Sequence, residues 1–443
     1  MRRTSTLTLA LCLATALPLT ASAAGYDTPI LYSARHIGMG GTGISFVKDP
    51  TAMFINPAGI GHTSHIIAHV DFSPIFAQID AAPECGAGPG LISCSGTNPK
   101  TGLAATAGPV LAPAFLAGGA FRVHENVTLG LSIFPLASAG GGYAYSQPAF
   151  PAGSGDEQWE DDTAIAFIEI SPGVAVNFPL GGAGNLRLGA TYRITLAQLS
   201  RFKKSEANEA ATFDLDMSGF NFEGVRVGLQ WDWEGLQLGV VYRNKIVADV
   251  EADSSVIVGS EKGKTTMDLT LPSRIGAGLR YDIADFGIAL DYEYAWQSQN
   301  KVSKIIAFNT AKGENDDPLN SYFLWKDAST IRAGLEYRFL GTMAARLGYV
   351  WDQETSNKVY VSAFGTPPTD TNTATVGFGY DGGPWEINVA YAFRTGSVDV
   401  GDEDVTLVSN GGNRPETCLT CGYAGTYELT LHGAYVDFSW EWE

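Results

Sequence analysis

The sequence is poor in charge, and the charge it has is mostly of one sign. Lys, Arg, Asp and Glu make up 17% of 443 residues, and 47 acidic against 28 basic residues leave a net charge of −19. A chain this acidic repels polyphosphates, so nucleic acid is excluded as a partner. Cysteine is scarce at five, and one of these, Cys12, lies inside the N-terminal apolar run. Leu11 precedes it where a lipoprotein anchor needs a small residue, so it is no anchor. No later stretch can form a spanning helix: the uncharged run 102–121 is broken by Pro109, Pro113 and several glycines. No serine sits in a G-x-S-x-G elbow, and the glycines at 38–43 lack a GKS or GKT ending, so neither a hydrolase nor a phosphate loop has motif support. His62, His65 and His69 are spread too far for one ion. No enzyme activity, cofactor or metal is expected.

What is present is alternation. In NLRLGATYRITL, Leu186, Leu188, Ala190, Tyr192, Ile194 and Leu196 share one face, with Arg187, Gly189, Thr191, Arg193 and Thr195 on the other. The apolar face must meet a second sheet, as in a soluble sandwich, or lipid, as in an outer-membrane barrel. Export favours the barrel. Arg2 and Arg3, an apolar run and Ala21-Ser22-Ala23 read as a signal peptide over 1–23. The 52 glycines and 11% aromatics suit a large sheet with aromatic girdles. The expected fold is all-β: an antiparallel transmembrane barrel of about fourteen strands over 63–443. Among them, 235–250, 263–282 and 319–338 each read as one strand. Short turns near 124–125, 179–184, 233–234, 283–284, 340–341 and 382–383 belong to the periplasm, and the longer connections face outward.

The four remaining cysteines lie in two of the long connections. Oxidising export makes Cys85–Cys94 and Cys418–Cys421 the favoured disulfides, a four-cysteine zinc site being open only if the loops meet. Acidic clusters (Asp156, Glu157, Glu160, Asp161, Asp162 and Asp402, Glu403, Asp404) read as a solvated loop rim, or as bridges through divalent cations to anionic lipid. Arg-x-Gly recurs five times, at Arg187/Gly189, Arg226/Gly228, Arg274/Gly276, Arg332/Gly334 and Arg346/Gly348, always on the polar face. The glycines leave interior space for something else to fill. The arginines either pair with lumen acids such as Asp291, Glu293, Glu336 and Asp352 or form a basic collar. Trp231, Tyr281, Tyr337, Trp385, Trp440 and Trp442 lie near short turns, as a girdle requires. In the last strand Leu429 and Leu431 oppose Val436, Phe438 and Trp440 in parity, which suggests a bulge near Gly433. Glu443 follows Trp442 where barrels usually end on an aromatic.

Residues 24–62 do not read as strand. Irregular backbone at membrane depth must be sheltered by protein, so a plug inside the lumen is expected. GMGGTGISFVKDPTAMFINPAGI, ISPGVAVNF, VVYRNKI, LTLPSRIGAGLRY and AARLGYVWDQ resemble the FadL-type outer-membrane transporters of long-chain fatty acids and other hydrophobic compounds, over nearly the whole mature chain. The resemblance implies a hatch at 24–62 and places Asn56-Pro57-Ala58 near a kink in the third strand that opens the wall sideways. In NVTLGLSIFPLA, Pro135 after Phe134 marks either that opening or the start of the next loop. The resemblance further implies an apolar groove among outer loops, with Leu91, Ile92, Tyr143, Tyr145, Phe150 and Trp159 as candidates, although these could pack as a lid. Arg243 and Lys245, read on the lumen face, either meet an acidic headgroup or pair with lumen acids. The expected function is passive uptake of a hydrophobic ligand such as a fatty acid by a monomer in contact with outer-membrane lipid. A general porin, a lipid hydrolase and a structural surface protein are the rivals.

Overall fold

The computed structural model describes residues 32–83, 105–107, 110–148, 156–205, 208–358, 367–401, 404 and 425–442. The signal peptide, residues 24–31 and all four loop cysteines lie outside them. Fourteen antiparallel crossings close into a barrel. The first six are β1 (Ile66–Pro83), β2 (Val110–His124), β3 (Val127–Pro148), β4 (Asp156–Pro179), β5 (Asn185–Ser205) and β6 (Asn208–Trp233). The seventh is split into β7 (Leu236–Arg243) and β8 (Ile246–Ala252), and the eighth into β9 (Thr265–Leu271) and β10 (Arg274–Ile283). Then come β11 (Phe286–Ala295), β12 (Ala328–Phe339), β13 (Met343–Asp352), β14 (Thr371–Asp381), β15 (Trp385–Val400) and β16 (Gly425–Trp442). Closure is direct: β1 pairs with β16 from Ile66↔Trp442 to Pro83↔Gly425.

The faces are inverted relative to a soluble protein. On β11, Leu290 is 52% exposed while its neighbour Asp291 is 1% exposed. Ile288 and Tyr292 point out with Leu290, and Ala289 points in. Large apolar residues cover the outside of strand after strand, and Arg193, Arg226, Glu169 and Thr195 are buried inside. A soluble sandwich would bury the first set and solvate the second, so the exterior is wetted by lipid. The expected short turns all lie at one end. Glu234-Gly235 and Leu340-Gly341 have positive φ at both central residues, the primed turn that matches strand twist.

Three expectations are corrected. The strands read over 235–250 and 263–282 are interrupted. Asn244 breaks the seventh crossing because its side chain replaces ladder partners: Oδ1 accepts from Val225 N at 2.7 Å and Nδ2 donates to Glu223 O at 2.9 Å. Pro272 interrupts the eighth because it has no N–H, and the neighbouring Ser273 Oγ accepts from Lys245 N at 2.8 Å. Within 319–338, Leu319–Tyr322 pairs separately with Val302–Asn309, and the crossing begins only at Ala328. No bulge occurs near Gly433, for β15–β16 register is constant throughout. Tyr427, Leu429, Leu431, Tyr435 and Asp437 all face inward, so the parity change in sequence records an interior that turns apolar toward the long-loop end.

The strands also outrun the expected loops: β3 and β4 stay paired to Pro148↔Asp156, so the cluster from Asp156 to Asp162 belongs to a strand rather than a loop. An arginine at an outward mid-strand position should be costly. Leu290→Arg is expected to lose about 2–4 kcal/mol in lipid, measured by urea unfolding in vesicles, while Leu290→Phe stays near wild type.

Candidate functional site

The N-terminal segment lies within the ring of strands. It comprises α1 (Ala34–Ile37), α2 (Ala52–Ile55) and a 3-10 turn, Pro57–His62. It touches the wall where the wall has no side chain, with its backbone at Gly189, Gly334 and Gly348 and with side chains at Gly228 and Gly276. A methyl group at Gly189 would strike Pro57 and Ala58, one at Gly228 Asn56, one at Gly276 Ile44, one at Gly334 Met39 and one at Gly348 Gly40. These are the five glycines of the Arg-x-Gly repeat, so the segment occupies the space they leave. Asn56 is fully buried. Its Nδ2 donates to Ile44 O at 2.7 Å and to Leu229 O on β6 at 3.0 Å, and its Oδ1 accepts from Ala58 N at 3.2 Å, capping the 3-10 turn. Asp291 accepts from Gly43 N at 2.8 Å and Ile44 N at 3.1 Å, and Ser132 donates to Pro50 O at 2.9 Å. His36 Nδ1 lies 2.7 Å from Thr42 O.

The arginines of the repeat are paired. Arg226 bonds Glu169 at 2.9 Å and also Met53 O, while Arg193 reaches the same Glu169 at 2.7 Å. Glu293 holds Arg274 at 2.7 Å and Arg332 at 3.2 Å. Glu336 holds Arg346 and Arg280, both at 2.7 Å, and Arg187 meets Asp232. Ion pairing therefore replaces the basic collar. Of the expected acids, Asp352 pairs instead with Arg394, at 3.1 Å, and Asp291 serves the segment's backbone.

β3 departs from regular pairing at Pro135. Its ladder with β2 runs from His124↔Val127 only as far as Ala117↔Ile133, and its register with β4 shifts between Pro135 and Ala137. Phe134, Pro135, Leu136 and Ala137 are buried in succession, which a regular strand cannot do. Tyr32 Oη donates to Pro135 O at 2.5 Å. The rings of Tyr32, Phe54 and Phe134 form a cluster, with centroids 5.2, 5.4 and 6.0 Å apart. Beside it lies a cavity of about 70 Å³ between segment and wall, lined by Tyr32, Phe54, Leu136, Arg226, Arg243 and Glu293 among others. Toward the long-loop end the interior is apolar, with Leu199, Phe213, Leu215, Met217, Leu269 and Leu431 buried.

Phe134 and Pro135 meet Tyr32, which lines the cavity with Arg243, whereas Asn56, Pro57 and Ala58 meet the wall at Gly189, Gly228 and Leu229. Lys245 does not. It is exposed, because the break at Asn244 resets parity: Val241 and Arg243 face inward before it, and Ile246 and Ala248 after it. Tyr145 lies opposite Trp159, and Tyr143 opposite Ala107 and Asp161, in backbone pairing. Phe150, Leu91, Ile92, Cys85, Cys94, Cys418 and Cys421 fall outside the described residues. His62 bonds Gln230 at 3.2 Å and His69 bonds Ser439 at 2.8 Å. Sequence reading missed Glu169, although its place beside Ser171 on a polar strand face was a signal. It also missed Tyr32, which precedes the glycine-rich run without any pattern.

Two substitutions probe the seat. Gly228→Val is expected to dislodge the segment while the barrel persists, seen as higher ion conductance in planar bilayers. Glu169→Ala strands two buried guanidinium groups and is expected to cost about 3–5 kcal/mol, read as a lower denaturation midpoint.

A family model described as outer membrane protein transport protein (OMPP1/FadL/TodX) matches residues 14–412. Among solved structures, a Pseudomonas aeruginosa FadL homologue is 14% identical, with 95% of this chain and 100% of that one covered at a TM-score of 0.68. The Pseudomonas putida toluene transporter TodX is 15% identical (94% and 99% covered, TM-score 0.64). The Ralstonia pickettii toluene transporter TbuX is 16% identical (94% and 100% covered, TM-score 0.61). No curated protein matches the sequence.

Proposed function

The chain belongs to the OMPP1/FadL/TodX family of outer membrane transport proteins, and on that premise we propose that it carries long-chain fatty acids through the barrel and out through its side. This is an outer-membrane β-barrel transporter of hydrophobic compounds, not an enzyme. In the proposed route, ligand collects among the outer loops, where Tyr143, Tyr145, Phe150 and Trp159 are the candidate contacts. It enters the apolar upper lumen and reaches the cavity at Arg243. It leaves into the membrane where β3 parts from β2. Residues 24–62 act as the hatch that closes the periplasmic half.

The observation that carries this reading is the placement of the cavity. It borders Leu136 at the β3 irregularity and presents Arg243 beside Arg226, Arg274 and Arg332, which Glu169 and Glu293 pair. Cations in a low-dielectric pocket favour a carboxylate, and a neutral hydrocarbon has no use for them. A second reading is a monoaromatic hydrocarbon, the cargo named for TodX and TbuX. The small volume of the cavity favours it, since a long acyl chain needs the hatch or wall to move.

Uptake of labelled oleate and labelled toluene by cells lacking their own transporter decides between them. Arg243→Leu is expected to weaken oleate binding at least about tenfold, through loss of a charged hydrogen bond worth about 1.5–3 kcal/mol, and to leave toluene uptake unchanged. No oleate uptake by a correctly inserted wild-type protein overturns the fatty-acid reading. A large steady current from the wild type would instead indicate a porin.

A further inference from the structure

The geometry points to Tyr32 as the bolt of the side opening: its phenol holds the bulged part of β3 against the N-terminal segment and closes the path from cavity to wall. This rests on the lateral route proposed above and adds the group that shuts it.

Three features meet at this residue. First, the bond is made to the strand rather than within it. Tyr32 Oη reaches Pro135 O at 2.5 Å, at the residue where β3 shifts register and after its ladder with β2 has ended. Backbone that has lost a ladder neighbour is free to move unless something else holds it. Second, the ring fills the passage. Tyr32 is 1% exposed, packs edge-on against Phe54 and tilts against Phe134, and lines the cavity together with Phe54 and Leu136. A ligand moving from Arg243 toward β3 meets these three rings.

Third, the next residue fixes the aim of the bolt. Ser33 has φ 63°, a conformation a side chain rarely adopts. Two wall carboxylates hold it there: its N–H donates to Asp71 at 2.9 Å and its hydroxyl to Asp437 at 3.2 Å. Asp71 and Asp437 are direct cross-strand partners at the β1–β16 seam. The backbone before the hatch is thus tethered to the barrel seam, and Tyr32 reaches from there to β3. The hatch below is held by the ion pairs of Arg35 with Glu386 and Glu336 and by several hydrogen bonds to the wall, whereas the bolt is one hydroxyl. Opening at Tyr32 leaves the hatch seated.

Tyr32→Phe keeps the ring and removes only the bond. Full-length wild type and variant are compared by amide exchange in detergent and by uptake of labelled oleate and toluene in cells, with heat-modifiable gel mobility reporting the folded barrel. The expected result is at least fivefold faster exchange at Phe134, Leu136 and Ala137, no change across Thr371–Asp381, and at least twofold faster uptake of the carried ligand. Unchanged exchange at β3 overturns the bolt and leaves the transport reading intact. Faster exchange throughout the barrel also overturns it, because the bond would then be general structural support. Local acceleration without faster uptake overturns its role in closure. A wild type that carries neither ligand overturns the lateral route, and the bolt with it.

Discussion

Backbone that is neither helix nor strand lies at membrane depth in this protein, and each of its polar groups must find a partner in the absence of water. Most other features follow from that constraint. The turns at 38–51 satisfy only part of their own N–H and C=O groups, and the rest find side chains: from the wall Asp291 takes two amides, Gln230 reaches carbonyls and Thr375 accepts from Gly40, while the segment's own Asn56 reaches Ile44 O. Such bonds need the segment's main chain close to the strand main chain. Any side chain at Gly189, Gly334 or Gly348 would forbid that approach. A row of glycines that would weaken an ordinary sheet becomes the seat of an inner segment.

The same constraint divides the lumen. In the half with short turns the arginines share carboxylates: Glu169 and Glu293 each serve two, Glu336 serves Arg280 and Arg346 closely with Arg35 and Arg338 at 3.9 Å, and Arg187 pairs with Asp232. Removing one member leaves a buried charge, and the network therefore specifies one arrangement strongly. In the other half the inward positions turn to Leu, Met, Phe and Ile. An apolar solute is matched by the lining of the second half and not by that of the first. A sideways exit near the boundary suits cargo that would not pass down a charged axis.

The barrel was legible because alternation with apolar residues outward is a strong, repeated signal, and the short turns carry their own glycine chemistry. The Arg-x-Gly repeat announced an interior filler without saying which residues would fill it. Other features were hidden by physics that periodicity does not carry. Lys245 was assigned the face of Arg243 because counting by twos assumes an unbroken strand, and one asparagine side chain ended that count. Leu429 and Leu431 suggested a bulge because inward residues were assumed to be polar, an assumption that fails in the apolar half. Tyr32 was invisible because its role depends on a contact with Pro135, more than a hundred residues away.

A closed sheet of fourteen strands has no natural place to open, since parting any regular ladder breaks several hydrogen bonds at once in a medium that replaces none. β3 avoids this cost by never forming the full ladder. Proline removes one donor, the register shift at Leu136 moves the next residues inward, and pairing with β2 stops at Ile133. The exposed polar groups are then answered from inside, by a segment that is separate from the sheet. Moving that answer aside alters a few contacts and leaves thirteen strand interfaces untouched. On the proposed route, a rigid wall with one prearranged weakness would let the barrel release cargo sideways without parting a regular ladder.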